Sequence, residues 1–226
     1  MDAEKAAENL EVIRQLMERP VRYSTMSGWS GIFAGCTAVL GLAMDAAVCA
    51  ACRDPEEAMW YNLAVWMGVL LLASAGVITL TLLRERAQGI ALWSQAKRRV
   101  LMTILPPFIA SVGLTLAIVY LWYFRVGPNQ WGLIPAIWMT FYGVACFHLG
   151  LYSIREMRIM GAAFILAGLL TAAFLQYNVP GVTVPLRASG FTLGFAPGSA
   201  PYVTLGVTFG GFHIVYGIAV LIRHGG

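Results

Sequence analysis

The chain has 226 residues, 59% of them hydrophobic and only 12% charged, and its mean hydropathy is +0.72. Soluble domains carry roughly 25% charged residues, so the composition excludes an ordinary water-soluble fold and points to a protein of the lipid bilayer. The formal net charge of +4 is too small and too scattered to suggest nucleic acid as a partner.

Residues 1–26 are expected to form an amphipathic helix. Ala3, Ala6, Leu10, Ile13 and Met17 recur at helical spacing with charges on the opposite side, and Pro20 limits its run. The segment lacks the apolar core of a secretory signal, which places the amino terminus in the cytoplasm. Its acids slightly outnumber its bases, which argues against a basic face for anionic lipid. The reading is a helix lying on the cytoplasmic face of the bundle, or alternatively a docking site for a soluble partner.

Residues 27–226 read as a six-helix transmembrane domain. Apolar runs near the twenty residues needed to cross a hydrocarbon core of about 30 Å fall at 29–49, 59–83, 100–124, 131–154, 158–176 and 202–222. The first opens with Ser27, Gly31 and Gly35, a small-residue stripe suited to close helix packing. Cys36, in this span, and Cys146, in the fourth, read as small packing residues. Near the span's outer end Asp45 is expected to reach water or Arg53. Cys49 and Cys52 there form a local disulfide or a plain pair of thiols. RERAQGIALWSQAKRR follows the second span as a cytoplasmic connector whose Trp93 suits the headgroup layer. Pro106 and Pro107 should bend the third span.

The Gly- and Pro-rich stretch 177–200 reads as an irregular external loop folded back over the bundle. With the amino terminus inside, twelve Lys and Arg fall on the cytoplasmic side against Arg53, Arg125 and Arg187 outside. This positive-inside bias puts both termini in the cytoplasm. The two three-span halves share no glycine or charge pattern, which weighs against an inverted-repeat transporter.

Three ionisable residues lie within the spans: Asp45, His148 and His213. Intramembrane ionisable groups are costly and mark candidate sites. Gly206, Gly210, His213 and Gly217 fall within about 60° of one another on the last helix. The imidazole therefore emerges beside a glycine groove that admits either another helix or a flat ligand. His148 and His213 lie roughly 9 and 13 Å from the inner ends of their helices, depths at which they can face each other. One reading makes each histidine a register-fixing hydrogen bond across the bundle, to Tyr152, Tyr216 or a backbone carbonyl. Another makes them axial ligands of a b-type haem or other tetrapyrrole; a mononuclear metal or a proton relay are further versions. Neither HExxH, a P-loop, GxSxG nor paired carboxylates occur, which points away from an enzyme and leaves no resident cofactor as the expectation.

The stretches IRQLMERPVRYSTMSGWSGIFAG, LIPAIWMTFYGVACFHLGLYSIREMRIMGAAFILAG and LGVTFGGFHIVYGIAVLIRHGG together resemble a family of uncharacterised six-span bacterial inner-membrane proteins. The resemblance covers most of the chain and is thin through the second span and the external loop. It implies a bacterial inner-membrane location and a recurring Gly210, Gly211, His213 and Gly217 scaffold. It also implies a small or polar residue where this chain has His148, so that two-histidine haem ligation would be particular to this protein. The expected function is that of a non-enzymatic accessory or regulatory subunit. Its partners are the bilayer and other membrane subunits or copies of itself. Haem-based electron transfer through His148 and His213 and transport of a small solute or protons are the alternatives.

Overall fold

The computed structural model describes residues 28–52, 54–87, 89, 95–126, 130–175, 183–186, 191–194 and 200–224. Six α-helices dominate these residues: α1 Gly28–Ala51, α2 Pro55–Ala87, α3 Gln95–Tyr123, α4 Leu133–Leu149, α5 Arg155–Leu170 and α6 Ala200–His224. Five are long and apolar enough to cross a membrane, α5 together with the π-helical turn Thr171–Leu175 that continues it. The exception is α4, which at 17 residues is about 25 Å long. The expected amphipathic helix over 1–26 lies outside the described residues.

Local chemistry sets several helix ends. Before α2, the Asp54 carboxylate accepts a hydrogen bond from the Glu56 N–H at 3.0 Å; Pro55 then opens the helix where its missing N–H is harmless, and Glu56 and Glu57 sit at the positive end of the dipole. At the end of α3, Val126 N–H donates to Leu121 O and Arg125 N–H to Trp122 O, both at 3.0 Å. This pairing closes the helix as a Schellman motif. Arg125 occupies its left-handed position at φ 53°, which costs an L-residue roughly 1–2 kcal/mol. Pro106 and Pro107 lie inside α3, which stays one continuous helix.

Lipid offers no hydrophobic force between helices, so close packing and buried hydrogen bonds hold them together. The first and last helices run antiparallel, backbone against backbone. A Cβ added at Gly28 would lie 2.5 Å from Gly217 O, one at Gly217 2.5 Å from Gly28 O, and one at Gly35 2.8 Å from Gly210 O. A second antiparallel pair, α4 with α5, meets in the same way: a Cβ at Gly143 would lie 2.7 Å from Gly161 O, and one at Gly161 the same distance from Gly143 O. Each of the four helices carries a pair of contacting glycines seven residues apart: Gly28 and Gly35, Gly210 and Gly217, Gly161 and Gly168, and Gly143 with Gly150 just past α4. Two helical turns return them to one face.

Around these pairs α2 packs on α1 and α3 on α4, while the backbones of α2 and α3 do not approach each other closely. The two are instead pinned at their ends. Lys97 Nζ lies 2.6 Å from Glu85 Oε2 at one end, and Arg125 pairs with Glu56 at 3.3 Å at the other. Beside the second pair Trp60, Trp122 and Trp131 form an edge-to-face triangle with centroids 5.4–5.8 Å apart. The main core lies between α4, α5 and α6 around Met139, Met160, Phe164, Leu205 and Tyr216.

Two expectations change. Stretch 177–200 is not wholly irregular: strands β1 Thr183–Leu186 and β2 Phe191–Gly194 pair antiparallel, Thr183 opposite Gly194, and β2 lies beside α1. Pro185 lacks a ladder donor and is admissible because a two-stranded ribbon is all edge. Cys36 is exposed rather than packed, whereas Cys146 is buried. Cys36, Cys52 and Cys146 are free thiols; the side chain of Cys49 lies outside the described residues.

The glycine contacts give a graded expectation. Gly217→Ala drives a methyl into the backbone of α1 and should destabilise the fold by roughly 1–3 kcal/mol. Gly211→Ala, where nothing lies within 4 Å, should be neutral or mildly stabilising. Reversible unfolding in mixed micelles checks this, and equal effects at the two positions would refute the close-contact account.

Candidate functional site

His213 is buried where α4, α5 and α6 meet. Its Nδ1 lies 2.8 Å from Phe209 O, one turn back on its own helix, and its Nε2 lies 2.6 Å from the hydroxyl of Tyr142 on α4. A carbonyl can only accept, so Nδ1 carries the proton. Nε2 then accepts from the Tyr142 O–H, which assigns a neutral ring in the Nδ1–H tautomer. Phe164 from α5 sits edge-on to the imidazole at 5.5 Å and Phe209 stacks on it at 5.7 Å. The Tyr142 hydroxyl also neighbours the Cys146 thiol one turn along α4. Tyr216 faces the same thiol, and its buried hydroxyl has no hydrogen-bond partner among the described residues.

The glycine groove beside this ring is filled by α1. A Cβ at Gly206 would lie 2.8 Å from Leu42, one at Gly210 2.7 Å from Val39, and one at Gly217 2.8 Å from Ile32 N. The carbonyl of His213 faces this contact, its oxygen 3.1 Å from where a Cβ on Gly31 would stand. The imidazole therefore lies at the groove's edge and turns away from α1, towards Tyr142.

His148 is not brought to His213. It is exposed near the end of α4, and its Nδ1 bonds Val144 O at 2.9 Å. Six residues separate it from Tyr142, which puts the two about 120° apart around the helix. Similar depth did not mean a shared face. Both nitrogens of His213 are hydrogen-bonded, across the bundle to Tyr142 and within α6 to Phe209, whereas among the described residues His148 bonds only a carbonyl of its own helix. The partner is Tyr142, however, and neither Tyr152 nor Tyr216. No group of three His, Cys, Asp or Glu able to hold a metal ion occurs among the described residues.

Asp45 forms a second buried polar cluster. It is 1% exposed, and so does not reach water as its place near the span's end suggested; Arg53 lies outside the described residues. With its amide turned to satisfy both neighbours, Asn62 of α2 donates to Asp45 Oδ1 at 2.5 Å and to Ala58 O at 3.3 Å. The indole N–H of Trp66, one turn further along α2, lies on the same carboxyl's side of the cluster and makes no hydrogen bond among the described residues. Sequence position could have found this pair: Asp45 lies six residues before the end of α1 and Asn62 seven after the start of α2, at matching depth.

Compared with known proteins, the chain matches no family model, no curated protein and no solved structure.

Substitution separates the hydrogen bond from the ring. Tyr142→Phe leaves Nε2 without its donor and should cost about 0.6–1.7 kcal/mol, the range of such bonds inside membranes. His213→Ala also empties a packed aromatic cluster and should cost more, roughly 2–4 kcal/mol. A double-mutant cycle measures the coupling, and its absence would mean that the 2.6 Å contact contributes nothing.

Proposed function

We propose that the protein is a six-span integral protein of the bacterial inner membrane with both termini in the cytoplasm, acting as a non-catalytic accessory or regulatory subunit of a membrane assembly. On this reading α4 spans as well, the fourth of six, and the end of the bundle carrying Lys97 and Arg223 is cytoplasmic. The resemblance to six-span inner-membrane proteins and the positive-inside distribution of Lys and Arg support the location and topology. The observation that carries the subunit reading is the state of α2. None of the residues in its most apolar stretch is buried, although at 33 residues it is the longest helix. Gly68 on α2 and Gly113 on α3 are open, with nothing within 4 Å of an added Cβ. Small residues turned outward from a span are where another helix can approach.

Proton translocation is a second reading, favoured by the buried hydrogen-bonded series Cys146, Tyr142 and His213. It requires that Tyr142→Phe abolish a pH change in proteoliposomes, an effect that the subunit reading does not anticipate.

Extraction of native membranes into polymer discs tests the subunit reading. The protein should emerge in a stoichiometric complex, and Gly68→Leu with Gly113→Leu should release it as a folded single chain. Migration of the unaltered protein as a lone monomer would overturn it. Reporters fused after Gly226 and within 84–99 should behave as cytoplasmic and those within 177–200 as external. An external carboxy terminus would overturn the topology.

A further inference from the structure

The charge of this chain is concentrated at one place. Residues 84–99 hold five bases and one acid, Arg84, Arg86, Lys97, Arg98 and Arg99 against Glu85, and elsewhere ten bases balance ten acids. The net +4 therefore resides where α2 ends and α3 begins. The single acid does not neutralise the group: Glu85 is 1% exposed and taken up by Lys97 at 2.6 Å, a bond that also draws the two helix ends together.

Among the described residues, two features leave Arg84, Arg98 and Arg99 without a compensating acid. Nη1 of Arg84 is buried and has no hydrogen-bond partner among the described residues, an unusual state for a guanidinium N–H, since buried donors are nearly always satisfied. Lys97, Arg98 and Arg99 stand near the amino-terminal end of α3, which has no acid in its first turn. Cations at the positive end of a helix dipole are unfavourable. An anion lying against the ends of α2 and α3 would offset the dipole, bridge the exposed Arg98 and Arg99 and supply a counter-charge to the Arg84 guanidinium, whose Nη1 is enclosed by protein.

From this we infer a binding site for the phosphate of an anionic lipid headgroup, formed by Arg84, Arg98 and Arg99 at the junction of α2 and α3. Position selects lipid as the source. Both helices pass directly from this junction into bare apolar surface, with Leu83, Leu101 and Met102 exposed, so acyl chains can lie along the helices whose ends hold the phosphate. Basic groups between spans on a cytoplasmic membrane face bind acidic headgroups in this manner.

The test uses the full chain in neutral detergent, with native mass spectrometry to measure retained phosphatidylglycerol against phosphatidylcholine of the same acyl chains. Phosphatidylglycerol should be retained preferentially, and Arg84→Gln should reduce that preference about five-fold, the effect of about 1 kcal/mol per basic residue. If Arg84→Gln fails to fold, the exposed pair Arg98→Gln/Arg99→Gln reports on the same site and should lose the preference. Arg155→Gln, an exposed base at the start of α5, should leave it intact. Equal retention of the two lipids, a preference unchanged in the folded variants, or equal damage from Arg155→Gln would overturn the site. Displacement of phosphatidylglycerol by millimolar inorganic phosphate would overturn lipid as its occupant.

Discussion

The contact between Gly28 and Gly217 is the constraint on which the rest of the bundle depends. It brings the first and last helices together with no side chain between them, so everything from α2 to α5 must be accommodated around a closed chain. The register of that contact also aims His213. Its carbonyl oxygen lies against Gly31 of α1, while its imidazole reaches Tyr142 and Phe164. A backbone contact on one face of α6 thus determines a side-chain contact on another.

Polar groups inside the bundle are settled mostly within their own helices. Seven Ser and Thr hydroxyls, from Thr37 to Thr208, donate to the carbonyl four residues earlier, which satisfies them where water is excluded. Among the described residues, bonds between helices include Tyr142 with His213, Trp138 Nε1 to Thr115 Oγ1 at 3.1 Å, and Asn62 to Asp45. Each fixes a neighbour's rotation, which small-residue packing alone leaves loosely specified.

What could be read from the sequence follows from which quantity each feature depends on. Helix positions were legible because a long apolar run is a local property; α1 and α6 lie within two residues of the runs 29–49 and 202–222. The run 131–154 overstated α4, which stops at Leu149, because the turn after Gly150 is built from apolar residues, Leu151 and Ile154, as well as polar ones. The depths of His148 and His213 were legible from residue counts. Their rotation about their helices was not, since it is fixed by glycine contacts with other helices, α5 for His148 and α1 for His213, and not by anything within their own apolar runs. For the same reason Tyr142 was passed over in favour of Tyr152, which lies beyond the helix, and Tyr216, whose hydroxyl faces Cys146. Seven-residue glycine spacing, present on all four close-packed helices, is the pattern that would have paired them.

The unequal lengths of α2 and α4 have a consequence for the surrounding bilayer. At about 1.5 Å per residue, a 33-residue and a 17-residue helix differ by roughly 24 Å, more than tilt alone reconciles in a bundle of antiparallel neighbours. On the proposed six-span reading, lipid must stretch or α2 protrude on one side, while lipid thins beside α4. Such mismatch costs fractions of a kcal/mol per Å and sorts proteins by membrane thickness. A bundle with six such spans would carry a thickness gradient around its circumference, and so a preferred orientation towards any thinner domain or neighbouring protein that shares its thin side.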